Sequence, residues 1–225
     1  MATNFGNDEL VSRGLTFAVD VLSESSYPGS GTAIIDLVGG NVGTMTNSPT
    51  IGTSPTKFID MSGNSGTVVF TNYKPTTFHT DSYSLEFFFT ASNGSYPTIF
   101  SQGVGFQVFA HGNKILIFQS DDGSSYYIDS EANDTSLTSG TWYHAAIQRS
   151  GSVITFYVNG VADGTVTGLS STTVATNQSH QYFGTYSGTN YLYNGDLGPV
   201  RIYNRALTLA EINQNFNAQR HRFGI

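Results

Sequence analysis

The acidic side chains of this sequence are poorly spaced for catalysis. Two carboxylates on one strand face could protonate and attack a glycosidic bond, which requires acids two or four positions apart on that face. Asp129 and Glu131 form the one close pair of this kind in a strand context, and the polar Asn133-Asp134 follows them. We interpret the pair as part of a solvent-exposed loop, and Glu86 stands alone. The sequence therefore predicts no hydrolase activity and no catalytic residue.

The histidines and serines offer no better chemistry. None of the five histidines belongs to an H-x-x-x-H pair or to a His/Asp cluster with zinc-ligand spacing. The chain has no cysteine and no serine within a G-x-S-x-G turn, so nucleophilic catalysis is not expected. We interpret His144 as a structural strand residue whose ring hydrogen-bonds across a sheet.

Tyrosines are the strongest candidates for a binding role. An aromatic ring can cover the apolar CH face of a sugar, while Asn, Asp and backbone groups bind its hydroxyls. Six tyrosines lie in or beside segments rich in Ser, Asn, Asp and Gly, and we predict a glycan site from Tyr96, Tyr126, Tyr127, Tyr186, Tyr191 and Tyr193. Two alternatives stay open for each of them, namely half-buried packing within a β-protein and contacts between protein subunits.

The composition restricts the class of protein. The 225 residues include 25 Gly, 13 Tyr and 16 Phe, and only 11% are charged, which is typical of a turn-rich, all-β domain. A net charge of −7 with nine Lys and Arg gives no basic face for nucleic acid or for an acidic membrane. No apolar run approaches the roughly 18 residues of a membrane span. The first ten residues lack the basic start and apolar core of a secretory signal peptide.

Short alternating segments must position these side chains. From Trp142 to Gly160, β-branched and aromatic residues alternate on both sides of Ser150-Gly151-Ser152, which predicts a β-hairpin. The segment from Tyr83 to Phe89 is the strongest single strand, with alternate large side chains on one face. Further short strands follow at spacings of about 8–12 residues, which favours a β-sandwich. Residues 1–13 are polar and are predicted to form an N-terminal arm.

One helix is predicted near the end of the chain, from Leu207 to Gln219. Thr208 is its expected N-cap, and Glu211 three residues later completes a capping box. Leu209, Ile212 and Phe216 are expected to form its apolar stripe.

Several motifs resemble those of laminin-G-like, concanavalin A-like jelly-roll domains. The W-Y-H-A and F-Y-V-N-G stretches of the predicted hairpin match the family pattern W-x-H-V-A, turn, L-Y-V-D-G. The segment S-Y-P-G-S-G-T from Ser26 to Thr32 matches the start of many bacterial and phage members, and V-R-I-Y-N-R-A-L matches the last family strand. The ending N-F-N-A-x-R-x-R-F-G-I closes many virus-borne members. The resemblance spans residues 14–225 and implies one all-β, two-sheet antiparallel jelly-roll sandwich with one short C-terminal helix.

The resemblance also implies a structural calcium ion at the rim of the sandwich. Family members use a D-L-S-G-N-G-N loop and an acidic residue near the last strand, which correspond here to Asp36, Asn41 and Asp196. The loop of this chain lacks the Ser and one Asn of that pattern. Two interpretations stay open, a calcium site built from oxygen ligands or turn caps at Asp36 and Asp196. No other cofactor is expected.

Two functions of different classes fit this sequence. The first is a non-enzymatic virion structural protein, a capsid decoration, head-fibre or tail-associated protein that also binds host or environmental glycans. Its expected partners are capsid or tail proteins, with no nucleic acid and no membrane, and it is expected to form a homo-oligomer. The second is a free, extracellular carbohydrate-binding lectin that depends on calcium. The resemblance of both ends to virus-borne members, with no signal peptide and no catalytic residue, favours the first.

Overall fold

Short strands build almost all of the structure, as the alternating segments predict. A computed structural model describes residues 9–63, 66–73, 78, 82–92, 96–103, 105–111, 113–120, 126–131, 134–169 and 180–225, with the backbone alone for 127–131. Within these ranges the chain forms one α-helix, α1 (Leu209–Gln219), and sixteen strands: β1 (Leu15–Val19), β2 (Ala33–Ile35), β3 (Val42–Thr46), β4 (Thr50–Gly52), β5 (Phe58–Asp60), β6 (Thr67–Thr71), β7 (Ser82–Thr90), β8 (Thr98–Gln102), β9 (Phe106–His111), β10 (Lys114–Ser120), β11 (Tyr126–Glu131), β12 (Trp142–Ser150), β13 (Val153–Val158), β14 (Val161–Val166), β15 (His180–Phe183) and β16 (Asp196–Tyr203).

The strands form two sheets that pack face to face. Sheet A has the order β14-β13-β12-β7-β16-β5-β4, and β1 also pairs with β16. Sheet B has the order β11-β10-β9-β8-β15-β6-β3-β2. Neighbouring strands run antiparallel, including the β12–β13 hairpin, in which Ser150 pairs with Val153 and Ala145 with Val158. The predicted all-β antiparallel sandwich with one short C-terminal helix is confirmed.

Side-chain alternation on β7 divides the apolar residues between two cores. Tyr83, Leu85, Phe87 and Phe89 are buried between the sheets, where they meet aromatic residues of sheet B. Phe88 points the other way and packs under the C-terminal segment. A central strand that is buried on both faces thus explains the nearly continuous apolar sequence of this segment.

Helix α1 covers the outer face of sheet A and begins with the predicted capping box. The Glu211 carboxylate accepts the Thr208 N–H at 2.8 Å, and Thr208 Oγ1 accepts the Glu211 N–H at 3.3 Å. Ile212 and Phe216 are buried as predicted. Leu209 is 49% exposed, so its predicted place in the buried stripe is wrong. Leu209 only begins the helix, and the buried face consists of Ile212, Asn215, Phe216 and Gln219.

A buried polar cluster lies between α1 and sheet A. Asn215 Nδ2 donates to Glu86 Oε2 at 2.7 Å and to the Tyr203 hydroxyl oxygen at 3.0 Å. His144 Nε2 lies 3.9 Å from Glu86 Oε1, which is too far for a hydrogen bond. Burial raises the pKa of Glu86 to about 7 and lowers the pKa of His144 to about 3. Both groups are therefore held in their neutral forms over the mildly acidic range.

His144 corrects one sequence prediction. Within the described ranges its ring nitrogens have no hydrogen-bond partner, so the expected cross-sheet bond is not formed. The ring packs instead against Phe88 and Phe216, with centroid distances of 4.8 and 5.4 Å. His144 thus contributes to the apolar contact between β12 and α1.

Both ends of the described chain lie on the outer face of sheet A. Val11, near the end of the predicted 1–13 arm, is buried, and its carbonyl accepts the Tyr203 hydroxyl at 3.0 Å. At the other end, the ring of Phe223 stacks on Phe88 at 4.5 Å, and Arg222 donates twice to Asp20, at 2.6 and 2.9 Å. No helix in the described ranges is long and apolar enough to cross a membrane.

Candidate binding site

An aromatic pocket opens on the outer face of sheet B, on the opposite side of the sandwich from α1. It encloses about 330 Å³. Its lining combines strand residues with loop residues: Tyr96, Gln107, Phe109, Phe118, Tyr126, Tyr186 and Tyr191. Four of the six tyrosines predicted from the sequence are thus brought together in one place.

Strands β9 and β10 provide the floor of the pocket. On β9, Phe106 and Val108 face the core between the sheets, so alternation directs Gln107 and Phe109 outward. On β10, Phe118 lies opposite Gln107 in the strand register. The rings of Phe109 and Phe118 are 5.1 Å apart and form a continuous apolar base.

Tyr96 and Tyr191 form one wall of the pocket, and both have a left-handed backbone. Their φ angles are 58° and 52°, a conformation that large side chains rarely adopt. Tyr96 stacks on His111 at 4.1 Å, and the Tyr191 carbonyl accepts the Thr98 N–H at 2.8 Å. These contacts hold both residues in the strained conformation. Strained residues of this kind concentrate at functional sites, so the wall is a strong candidate for a ligand contact.

Tyr126 and Tyr186 complete the rim. The Tyr126 hydroxyl oxygen accepts a hydrogen bond from Gln107 Nε2 at 2.9 Å, and its side chain is 42% exposed. Tyr186 meets Tyr191 edge to face at 6.1 Å. Burial, together with the nearby hydroxyls of Tyr126 and Tyr191, raises the pKa of Tyr186. The Tyr186 hydroxyl is therefore neutral at physiological pH and can donate a hydrogen bond to a ligand.

Hydrogen bonds fix the loop that carries Tyr186 and Tyr191. Thr185 Oγ1 donates to the Asn190 carbonyl at 2.9 Å and accepts the Gly188 N–H at 3.0 Å. Ser101 Oγ, on β8, donates to the Tyr186 carbonyl at 3.0 Å. These bonds join the loop to sheet B and fix the backbone that carries both rings.

The pocket offers aromatic surface, hydroxyl groups and one amide. Among the described residues, none of the lining side chains is a carboxylate, an amine or an imidazole. Such a lining can bind a molecule that has both an apolar face and hydroxyl groups. Within the described part of the chain, no three His, Cys, Asp or Glu side chains are grouped so as to hold a metal ion.

The structure separates Tyr193, one of the two remaining predicted tyrosines, from the pocket. Tyr193 is 1% exposed, and its hydroxyl donates to the buried carbonyl of Thr90 and to that of Asp196. A ring in the interior cannot meet a glycan at the surface, so the prediction is corrected at Tyr193. The side chain of Tyr127 lies outside the described residues, as do those of Asp129 and Glu131.

Sequence reasoning missed three lining residues, Gln107, Phe109 and Phe118. Their signal was the alternation on β9 and β10, which places these residues on the face opposite Phe106 and Val108. An outward-facing phenylalanine on each of two neighbouring strands indicates an apolar surface that something must cover.

Two of the residues proposed for calcium, Asp36 and Asn41, form the hydrogen bonds of a turn. The buried carboxylate of Asp36 accepts four hydrogen bonds, from the N–H groups of Ala18, Val38 and Gly39, each at 3.0 Å, and from Asn41 Nδ2 at 2.8 Å. Both carboxylate oxygens are engaged, and Asn41 donates to Asp36. Since calcium needs oxygen ligands that are free to coordinate it, this loop does not provide them.

Asp196 lies on sheet A, paired in register with Asp60 of β5. Its N–H donates to Thr90 Oγ1 at 2.8 Å. Burial and the neighbouring carboxylate of Asp60 raise the pKa of Asp196 to about 6. Asp36 follows β2 at the edge of sheet B, so the two aspartates belong to different sheets.

The fold and the sequence together define the class of this protein. The profile of the Laminin_G_3 family, described as the concanavalin A-like lectin/glucanases superfamily, matches residues 62–213, which is more than half of the chain. The chain belongs to this family. No curated protein sequence matches it.

Solved structures with the same fold include toxin binding domains. The binding domain of botulinum neurotoxin serotype D has a TM-score of 0.69 and 14% identity, over 95% of this chain and 52% of that chain. The binding domain of Paraclostridial Mosquitocidal Protein 1 has a TM-score of 0.68 and 18% identity, over 91% and 52%. The binding domain of botulinum neurotoxin DC in complex with SialylT has a TM-score of 0.67 and 13% identity, over 95% and 52%. The chain spans about half the length of these structures, and at such identities the likeness shows the fold alone.

Proposed function

We propose that this protein is a non-enzymatic carbohydrate-binding domain whose pocket on sheet B holds a glycan. The observation that carries the proposal is the convergence of four tyrosines with Phe118 and Gln107 on one pocket. The rings suit the CH face of a sugar, and the tyrosine hydroxyls and the amide suit its hydroxyl groups. Membership of a lectin/glucanase superfamily supports the proposal. So does a structure of the same fold that is complexed with SialylT.

A glycan array followed by titration of the hits tests this function. Tyr191→Asn removes the ring but suits the left-handed backbone, since Asn tolerates a positive φ. We expect it to weaken binding about tenfold, equivalent to about 1.4 kcal/mol. Tyr191→Phe keeps the ring and is expected to stay within about threefold of the wild type, a change below about 0.7 kcal/mol.

Tyr182→Ala is the matched control. Tyr182 lies on sheet B, paired with Ser101, and is not part of the pocket lining. Its removal should leave glycan affinity unchanged. If no glycan binds the wild-type protein, or if Tyr182→Ala weakens binding as much as Tyr191→Asn does, the proposed site is wrong.

We further propose that the domain acts as part of a virus particle, as a homo-oligomeric capsid decoration, head-fibre or tail-associated protein. The resemblance of its C-terminal segment to virus-borne family members supports this location. Peptide mass spectrometry on purified particles tests it, and the copy number relative to the major capsid protein would distinguish a decoration from a tail component. Absence from particles would favour the alternative, a free extracellular lectin.

A further inference from the structure

We propose that the pocket selects uncharged pyranose residues and discriminates against glycans that end in an anionic sugar such as sialic acid. The inference rests on the proposed function and names the ligand class of the same site. It is carried by the charge of the lining residues, by the charge of the segments around them and by the size of the pocket.

Among the residues that the structure describes, no lining side chain carries a positive charge that would neutralise a carboxylate. Strong recognition of a carboxylate uses Arg, Lys or a convergent set of N–H donors. The lining side chains carry only hydroxyl groups and one amide as hydrogen-bonding groups. That amide, on Gln107, already donates from Nε2 to Tyr126. An anionic sugar would thus lose its hydration without gaining a charged partner.

The sequence around the pocket contains one basic residue, Lys114, and several acidic ones. The segments 91–113 and 184–195 contain no Lys, Arg, Asp or Glu, and residues 115–148 contain five acidic residues but no Lys or Arg. Lys114, between two of these segments, donates its amine to the carbonyl of Asp134. His111 stacks on Tyr96. With a net charge of −7, the electrostatic field of the chain repels an approaching anion.

The size of the pocket limits the length of the ligand. A volume of about 330 Å³ lies at the lower end of ligand pockets, which run from about 300 to about 1,000 Å³. About one or two sugar rings fit this space, and the rest of a longer glycan would extend past the exposed side chains of Tyr126 and Tyr191. A sugar that enters the pocket therefore contacts the described lining residues, which carry no charge.

An array of matched pairs tests the proposal, each pair consisting of one neutral glycan and the same glycan capped with sialic acid, with lactose and sialyllactose as the soluble pair. We expect binding to neutral members and a loss of about tenfold or more on sialylation, which corresponds to one decade in Kd. Affinity for the neutral member should stay nearly constant from about 0.1 M to about 1 M NaCl, although the Debye length falls from about 10 to about 3 Å.

Two outcomes separate this inference from the function beneath it. Sialylated glycans that bind as well as neutral ones, and that lose binding in Tyr191→Asn, would overturn the selectivity and leave the glycan site standing. A chain that binds neither member of any pair would overturn both. The Tyr182→Ala control applies here as well, because Tyr182 lies on sheet B and does not line the pocket.

Discussion

Two tyrosines only two positions apart have opposite roles in this domain. Tyr191 is 52% exposed and lines the pocket, whereas the ring of Tyr193 is enclosed between the sheets. The Tyr193 hydroxyl satisfies the Thr90 carbonyl near the end of β7, where it also contacts the carbonyl of Asp196. Tyr193 therefore joins β7 to the start of β16.

Tyr193→Phe should lower the free energy of unfolding by about 1–2 kcal/mol, because a buried carbonyl loses its donor while the ring packing is kept. Urea denaturation measures the loss. Glycan affinity should stay unchanged, since the ring does not line the pocket. If Tyr193→Phe kept the wild-type free energy of unfolding but lost glycan binding, Tyr193 would belong to the binding site after all.

Asp36 is expected to act as a turn residue whose role needs no calcium. Asp36→Ala leaves the buried N–H of Ala18 without its acceptor and should cost about 2–4 kcal/mol of unfolding free energy. Adding calcium or a chelator should not shift the thermal midpoint of the wild-type protein. A calcium-dependent midpoint that Asp36→Ala abolishes would instead restore the metal-site interpretation.

The sequence predicts the tyrosines of the pocket but does not distinguish those that line it from those that are buried. Tyr191 and Tyr193 share the same Ser/Asn/Gly-rich surroundings, and what separates them is the left-handed backbone at Tyr191. Tyr191 also accepts a hydrogen bond from Thr98, and this bond joins residues far apart in the chain. A local sequence pattern does not predict such a long-range contact.

Helix α1 illustrates an element whose start is determined by local chemistry. Beyond the capping box, Arg205 donates two hydrogen bonds to the Glu211 carboxylate, at 2.6 and 2.8 Å. The bonds from Arg205 outweigh the effect of partial burial and hold the pKa of Glu211 at about 2. The Arg205–Glu211 ion pair therefore stabilises the start of the helix in addition to the Thr208 cap.

Thr208→Ala should lower the free energy of unfolding by about 1 kcal/mol, the usual effect of losing an N-cap side chain. Thr208→Ser keeps the oxygen acceptor and should retain most of the stability. Thermal melts of the two variants measured side by side provide the test. Equal losses would mean that the methyl group of Thr208, and not its hydroxyl, supports the helix.

The elements themselves were largely predictable, because local patterns dictate them. The β12–β13 hairpin and the α1 cap follow from alternation and from the Thr208–Glu211 spacing. The polar cluster beneath α1 was not predictable, because Asn215 meets Glu86 only after the helix has docked on sheet A. The exposure of Leu209 has the same origin, since the position of the helix on the sheet decides which of its residues are covered.

The domain's response to pH reflects opposing buried groups. The folded-state pKa values of Glu86 and Asp196 are raised to about 7 and about 6, from ordinary values of 4.5 and 3.8. Their neutral forms therefore stabilise the folded state fully below the ordinary pKa values, and this stabilisation is lost as pH rises through the folded-state values. His144 acts in the opposite direction, because its pKa is lowered to about 3 and its contribution is lost as pH falls below 6.5. From mildly acidic to neutral pH, the stabilisation from Glu86 and Asp196 falls while that from His144 rises. We therefore expect the free energy of unfolding to decline over this range.

Comparing Glu86→Gln with the wild-type protein isolates the contribution of Glu86. The variant cannot ionise at this position, so its stability relative to the wild type should increase as pH rises from 4.5 to 7. Glu211→Gln is the control. Because the pKa of Glu211 is lowered to about 2, its effect on stability should be constant over the same range. Denaturation at several pH values measures both differences, and a constant difference for Glu86→Gln would contradict the assignment.

The position of the two chain ends has a consequence for display. The segment at Val11 and the ring of Phe223 both lie on the outer face of sheet A, and the pocket opens on the outer face of sheet B. A domain anchored through the segment at Val11 or the segment at Phe223 would therefore point its pocket away from the anchor. Many copies on one support would all face outward, and weak single-site binding would add up through avidity to firm adhesion.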